Sequence, residues 1–79
     1  KIMIEAKDIK NLSMNDLVAY YNANKALKDY YANTAQMNEC YRNTNEKNLF
    51  EEPLHKQMKC TNVEAKIMDE FEKRLINEE

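Results

Sequence analysis

Uncharged positions recur with helical spacing along the first half of the chain. Between residues 20 and 41, two sets of uncharged residues each repeat every seven positions: Tyr20, Leu27, Thr34 and Tyr41 in one set, and Ala23, Tyr30 and Met37 in the other. This spacing places all seven side chains on one face of an α-helix, which we call the heptad stripe, with Leu17 and Tyr31 flanking it. No glycine or proline interrupts the pattern, so it predicts one helix from Met14 to Arg42, roughly 45 Å long.

The start of this helix is marked by two independent signals. Ser13 and Asp16 form a variant of the capping box, in which the Ser13 hydroxyl oxygen accepts from the Asp16 amide. Leu12 and Leu17 are placed to form a hydrophobic staple across the same cap. After the helix, the segment 43–48 is rich in asparagine, which tolerates the conformations that end helices, so it predicts a turn.

The last third of the chain predicts a helical return segment. Pro53, with acidic residues beside it, favours a short helix that begins there and runs to about Lys59. Thr61 and Glu64 form a standard capping box, which predicts a second helix start, although the two helices could run together with a kink. Behind this cap, apolar residues recur every four positions at Val63, Ile67, Phe71 and Leu75, with Met68 adjoining. Two i,i+4 ion pairs are expected on the solvent side, Asp69 with Lys73 and Glu70 with Arg74.

These patterns predict an all-α protein with a single helical domain spanning residues 1–79. We expect an extended or partly helical arm over 1–12, a long helix over 13–42, and an antiparallel return segment over 53–77, forming a helical hairpin or small bundle. The absence of glycine favours few turns and long helices. A chain of 79 residues buries only a modest core, so we expect oligomerisation to complete it.

The composition offers little material for catalysis or cofactor binding. One serine, one histidine and no glycine leave neither a nucleophile–base pair nor a phosphate-binding loop, so we expect no enzyme and no cofactor. Glu52 and His55 have the E-x-x-H spacing of di-iron ligands, but they lack further carboxylates, and we expect no metal. Cys40 and Cys60 are expected to be free thiols. No apolar run approaches the roughly 18–20 residues that span a bilayer, and a cytoplasmic location is expected.

The wealth of tyrosine and methionine points to protein binding. Five Tyr, two Phe and five Met are more bulky side chains than a two-helix hairpin can cover, and tyrosine is favoured at interfaces. The predicted binding residues are Leu17, Tyr20, Tyr21, Leu27, Tyr30, Tyr31 and Met37. The expected partner is another protein, either a second copy in a homo-oligomer or a different chain.

Nucleic-acid binding is the alternative, because Lys25 and Lys28 lie between two tyrosine pairs that could stack on single-stranded bases. The charge balance argues against it. Residues 1–45 carry a net charge of +1 and residues 46–79 a net charge of −3. Neither half is basic enough for the phosphate neutralisation that dominates such binding.

Three segments carry a family resemblance: Ser-Met-Asn-Asp-Leu at 13–17, Tyr-Tyr-Asn-Ala-Asn-Lys-Ala-Leu-Lys-Asp-Tyr-Tyr at 20–31, and Asn-Leu-Phe-Glu-Glu-Pro-Leu-His-Lys-Gln-Met-Lys at 48–59. Through them the sequence resembles the small lysis-inhibition accessory proteins of T-even phages, the RIII type. The resemblance implies a cytoplasmic co-antiholin that binds the cytoplasmic part of the phage holin and delays lysis. A different phage early accessory protein is the alternative within the same setting. The family supplies no catalytic residues.

Overall fold

Two long antiparallel helices dominate the protein. A computed structural model describes the backbone of residues 6–77 and the side chains of residues 9–77. Helix α1 spans Met14–Met37 and helix α2 spans Asn48–Asn77. A 3-10 helix, Ala6–Asn11, precedes α1, and a short 3-10 turn, Glu39–Tyr41, lies in the connection between the two helices. The prediction of an all-α helical hairpin is therefore confirmed.

Helix α1 begins where the sequence predicts. The backbone N–H of Asp16 donates to the Ser13 hydroxyl oxygen over 3.1 Å, as a capping residue requires. Leu17 is fully buried in the core, and Leu12 packs against the same cluster. The staple thus joins the entry of α1 to the interior of the hairpin.

The end of α1 was predicted five residues too late, at Arg42 rather than Met37. Asn38 leaves the helical conformation, and its backbone N–H closes the last turn on the Thr34 carbonyl at 3.0 Å. The Asn38 side chain is then free to reach across the connection to the Leu49 carbonyl. Amide side chains with such a partner compete with helix continuation. Helix α1 is therefore about 36 Å long instead of 45 Å.

The predicted helix start at Pro53 was also wrong, because α2 begins at Asn48 and Pro53 lies inside it, buried. Proline has no N–H, so the Leu49 carbonyl one turn earlier loses its helical donor. Asn38 Nδ2 supplies the missing hydrogen bond over 2.7 Å. Asn38 therefore ends α1 and, through its hydrogen bond to Leu49, satisfies the carbonyl that Pro53 leaves without a donor inside α2.

The capping box predicted at Thr61 and Glu64 does not start a helix either. Both residues lie in the middle of α2, and the Thr61 hydroxyl donates to the Gln57 carbonyl one turn back over 3.1 Å. Glu64 reaches α1 and forms an ion pair with Lys28. Helix α2 is therefore continuous from Asn48 to Asn77, so of the two arrangements left open by the sequence, the one in which the return helices run together is observed.

The two helices meet along a seam that differs from the heptad stripe. Seven of the ten buried or half-buried positions of α1 and the residue after it follow a 4-3 spacing, and we call these seven the contact seam: Leu17, Tyr21, Asn24, Lys28, Tyr31, Ala35 and Asn38. The other three, Tyr20, Ala32 and Thr34, are half-buried beside the seam. The fully enclosed cluster within it is small, formed by Ile9, Leu17 and Ile67. The protein extends 53 × 27 × 17 Å, which is a single layer of helices.

The N-terminal arm, predicted over 1–12 as extended or partly helical, is a 3-10 helix over Ala6–Asn11; its first five residues lie outside the described part of the chain. Ile9 is only 3% exposed and packs into the core. Arg74 near the end of α2 donates to the Leu12 carbonyl over 2.6 Å. The arm is therefore tied to the C-terminal part of α2.

Candidate protein-binding surface

Polar side chains occupy the middle of the contact seam. Asn24 is 7% exposed, and its Nδ2 donates to the Cys60 carbonyl over 2.9 Å. One turn later, Lys28 pairs with Glu64 of α2. The hydrogen bond between them raises the pKa of Lys28 and lowers the pKa of Glu64. Since each buried polar group has a partner on the other helix, the seam tolerates residues that hydrophobic periodicity would place in solvent.

Three of the seven predicted binding residues lie inside the hairpin. Leu17 is fully buried, and Tyr20 and Tyr21 are half-buried against the core cluster. The Tyr21 ring meets Phe71 of α2 edge-on, with ring centroids 6.0 Å apart. Burial raises the pKa of Tyr20. These side chains hold α1 against α2 and the arm, so Leu17 offers no surface to another protein, and Tyr20 and Tyr21 offer only their exposed parts.

Three other predicted residues are exposed and share one side of α1. Leu27 is 45% exposed, Tyr30 is 62% exposed and Met37 is 79% exposed. All three belong to the heptad stripe, together with the exposed Ala23 and the half-buried Thr34. Across the described residues, no other helix covers this part of α1. The exposed apolar surface of α1 therefore follows the heptad stripe and is continuous over almost three turns.

Tyr31, the seventh predicted residue, lies at the border between the stripe and the seam. Its half-buried ring contacts Tyr30 at a centroid distance of 5.5 Å, and the Lys56 ammonium of α2 lies 5.6 Å from its centroid. A cation held over an aromatic ring orients the ring. Tyr31 thus supports Tyr30 more than it presents surface itself.

The heptad stripe carries no charge along its length in α1. At 100° per residue, Lys25 and Asp29 project from the far side of the contact seam, and Lys28 lies in the seam itself. Lys28, one of the two lysines behind the nucleic-acid alternative, is already engaged by Glu64. Asp16 continues the stripe at its N-terminal end. The uncharged character of the stripe suits an apolar helix far better than a phosphate backbone.

A second exposed apolar set lies near the chain ends and was not predicted. Met14 and Val18 lie on the Tyr21 side of α1, while Met68 and Leu75 flank Phe71 on α2, and all four are at least 42% exposed. Leu75 continues the four-residue apolar spacing of Val63, Ile67 and Phe71, but it is 65% exposed. Ile67 belongs to the core cluster and Phe71 packs against it, whereas Leu75 lies one turn beyond Phe71.

Within residues 6–77, no three of the metal-binding side chain types lie close enough to hold an ion; Glu52 and His55 are both exposed on α2. Cys40 is an exposed free thiol, whereas Cys60 is buried and its pKa is raised by that burial. In the part of the chain described, neither helix is long and apolar enough to cross a membrane.

The fold and this surface define a class of protein, a helical hairpin whose first helix carries a partly exposed, uncharged heptad face. Comparisons with protein-family models, with curated proteins and with solved structures find no match for the chain.

Proposed function

We propose that this protein is a non-enzymatic regulator that binds another protein through the heptad stripe of α1. One observation carries the proposal: Leu27, Tyr30 and Met37 are exposed along one uncharged side of a helix whose other face is occupied by α2. Seven-residue spacing is the spacing by which helices pack against helices. The natural ligand for such a face is therefore an apolar helix.

The exposed side chains are large enough to support binding. Complete burial of an apolar side chain the size of leucine or methionine stabilises a complex by about 1.5–3 kcal/mol, and Met37 retains most of its surface for this purpose. Tyr30 is the natural anchor, because its ring is exposed and packs edge-on against Tyr31, whose own ring lies under the Lys56 ammonium. Removal of a central aromatic anchor commonly costs about 2 kcal/mol or more of binding.

The resemblance to the T-even lysis-inhibition accessory proteins names a candidate partner. On that basis the ligand is the cytoplasmic part of a phage holin, and binding in the host cytoplasm delays lysis. The helical fold and the uncharged stripe support a binding role of this kind.

The test compares two glutamate substitutions on the same exposed helix. Tyr30→Glu places a charge in the stripe, whereas Gln36→Glu places the same charge on the opposite flank of α1. Binding of the purified holin cytoplasmic region is measured by isothermal titration calorimetry, with helicity checked by circular dichroism. We expect Tyr30→Glu to weaken binding at least tenfold and Gln36→Glu to leave it unchanged. Equal affinities for both variants and the parent protein would eliminate the stripe as the binding surface.

A further inference from the structure

We propose that, without its heteropartner, the heptad stripe is covered by the same stripe of a second copy, packed antiparallel across a two-fold axis between Leu27 and Tyr30. This inference rests on the proposed function, because it assigns a partner to the same surface. It makes the protein a dimer built around a central pair of α1 helices.

The size and shape of the hairpin leave room for such an interface. Its accessible surface is 6315 Å², against roughly 5,000 Å² for a compact monomer of this mass. Its radius of gyration is 15.6 Å, against about 12 Å for a compact domain of this length. A standard protein interface buries about 800 Å² on each partner, so the excess surface of one hairpin is enough to form one.

A single helical layer also explains why a second copy fits. Domains are ordinarily built from two packed layers, and this hairpin is only 17 Å thick in its smallest dimension. A second hairpin laid against α1 supplies the missing layer. Since none of the stripe residues from Tyr20 to Met37 is charged, two copies meet there without placing like charges opposite each other.

The antiparallel direction follows from the side chains. In antiparallel packing, Leu27 of one copy lies opposite Tyr30 of the other, and the same register places Tyr20 opposite Met37 and Ala23 opposite Thr34. Each of these residue pairs then lies within α1, and each large side chain faces a large side chain of the other copy. Parallel packing would instead set Asp16 against Asp16 at the end of the stripe, and like charges in contact are destabilising. In the antiparallel register Asp16 approaches the end that carries Arg42.

Sedimentation equilibrium of the full chain tests the dimer, with two substitutions at adjacent positions. Met37→Glu charges the stripe, and Gln36→Glu charges the exposed neighbour outside it. We expect the parent protein and Gln36→Glu to dimerise, and Met37→Glu to dimerise at least tenfold more weakly with its helicity retained. A dimer that Met37→Glu leaves intact would refute the proposal.

The native Cys40 tests the direction, because it is exposed and Cys60 is buried. Spin labels on Cys40 lie 23 residues apart along the axis in the antiparallel register, roughly 35 Å at 1.5 Å per residue. In a parallel dimer they would be separated by little more than the 8–10 Å between packed helices and the length of the labels. A measured distance near 35 Å supports the antiparallel dimer, and one under about 20 Å overturns it.

The two proposals fail separately. If the protein stays monomeric at high concentration while Tyr30→Glu still weakens holin binding, the second-copy inference falls and the proposed function stands. If the protein dimerises through the stripe but binds no holin region, this inference stands and the proposed partner falls.

Discussion

Replacement of Arg74 by alanine should release the N-terminal arm from α2. The guanidinium joins the arm to α2: its Nη2 donates to the Leu12 carbonyl at 2.6 Å, and its Nε donates to Glu70 at 2.8 Å. Nη2 also contacts the carbonyls of Ile9 and Lys10, but these distances are longer, at 3.4 and 3.5 Å. Loss of this link exposes Ile9, which otherwise completes the core.

The magnitude follows from the one short charge-assisted bond. Such a bond is worth about 1.5–3 kcal/mol, and the two longer contacts are too stretched to add to it. The ion pair with Glu70 adds a few tenths of a kcal/mol, since i,i+4 pairs on helices contribute about that much. We therefore expect Arg74→Ala to lower the free energy of unfolding by about 2 kcal/mol, or about 8–16 °C in Tm for a domain of this size.

Urea denaturation followed by circular dichroism measures this loss, and Lys73→Ala is the matched control. Lys73 forms an i,i+4 pair with Asp69 at 3.2 Å, but both side chains are more than half exposed, so the expected cost is under about 0.5 kcal/mol. Hydrogen exchange should show faster exchange of the arm amides in Arg74→Ala only. If Arg74→Ala and Lys73→Ala are equally stable, the arm does not depend on the guanidinium.

The other predictions concern the helix start, the thiols and the ion pair. Ser13→Ala should lower the free energy of unfolding by about 1 kcal/mol, because it leaves the Asp16 amide without its acceptor. Thr61→Ala, in the middle of α2, should change it by less than about 0.7 kcal/mol, and thermal melts compare the two variants. Iodoacetamide should label Cys40 in the native protein and Cys60 only on unfolding, since Cys60 is buried with a raised pKa; equal labelling rates contradict this. Glu64 has a folded pKa below its ordinary 4.5, so its contribution is full above that value and is lost as the pH falls through the lowered pKa. Glu64→Gln should therefore flatten the acid side of the stability profile, and an unchanged acid slope would argue against the pair.

Local signals in the sequence predicted the elements that depend on neighbouring residues. The absence of glycine and the uninterrupted heptad spacing indicated long helices, and the cap at Ser13 marked the start of α1 to the residue. The pair of Glu70 and Arg74 was predicted from its i,i+4 spacing and is present. It is not on the solvent side, because Arg74 also reaches Leu12, 62 residues away along the chain, and no local rule anticipates that contact.

Local signals failed where a distant partner satisfied the same group. Pro53 and the box at Thr61 both resemble helix starts, yet α2 passes through both. At Pro53, the Leu49 carbonyl that lacks a helical donor accepts a hydrogen bond from Asn38, on the other side of the connection. A capping motif indicates that a helix can begin at a position, but it does not require the preceding turn to unwind.

The sequence by itself determined that α1 is amphipathic and that an uncharged heptad stripe runs along it. Only the tertiary structure decided which face turns inward. The contact seam contains Asn24 and Lys28, whose burial would be unfavourable in isolation. It becomes acceptable because Cys60 and Glu64, each 36 residues further along the chain, supply a carbonyl and a carboxylate at those positions. Since those partners exist only once the hairpin has closed, the polar seam packs inside and part of the more hydrophobic stripe is left exposed.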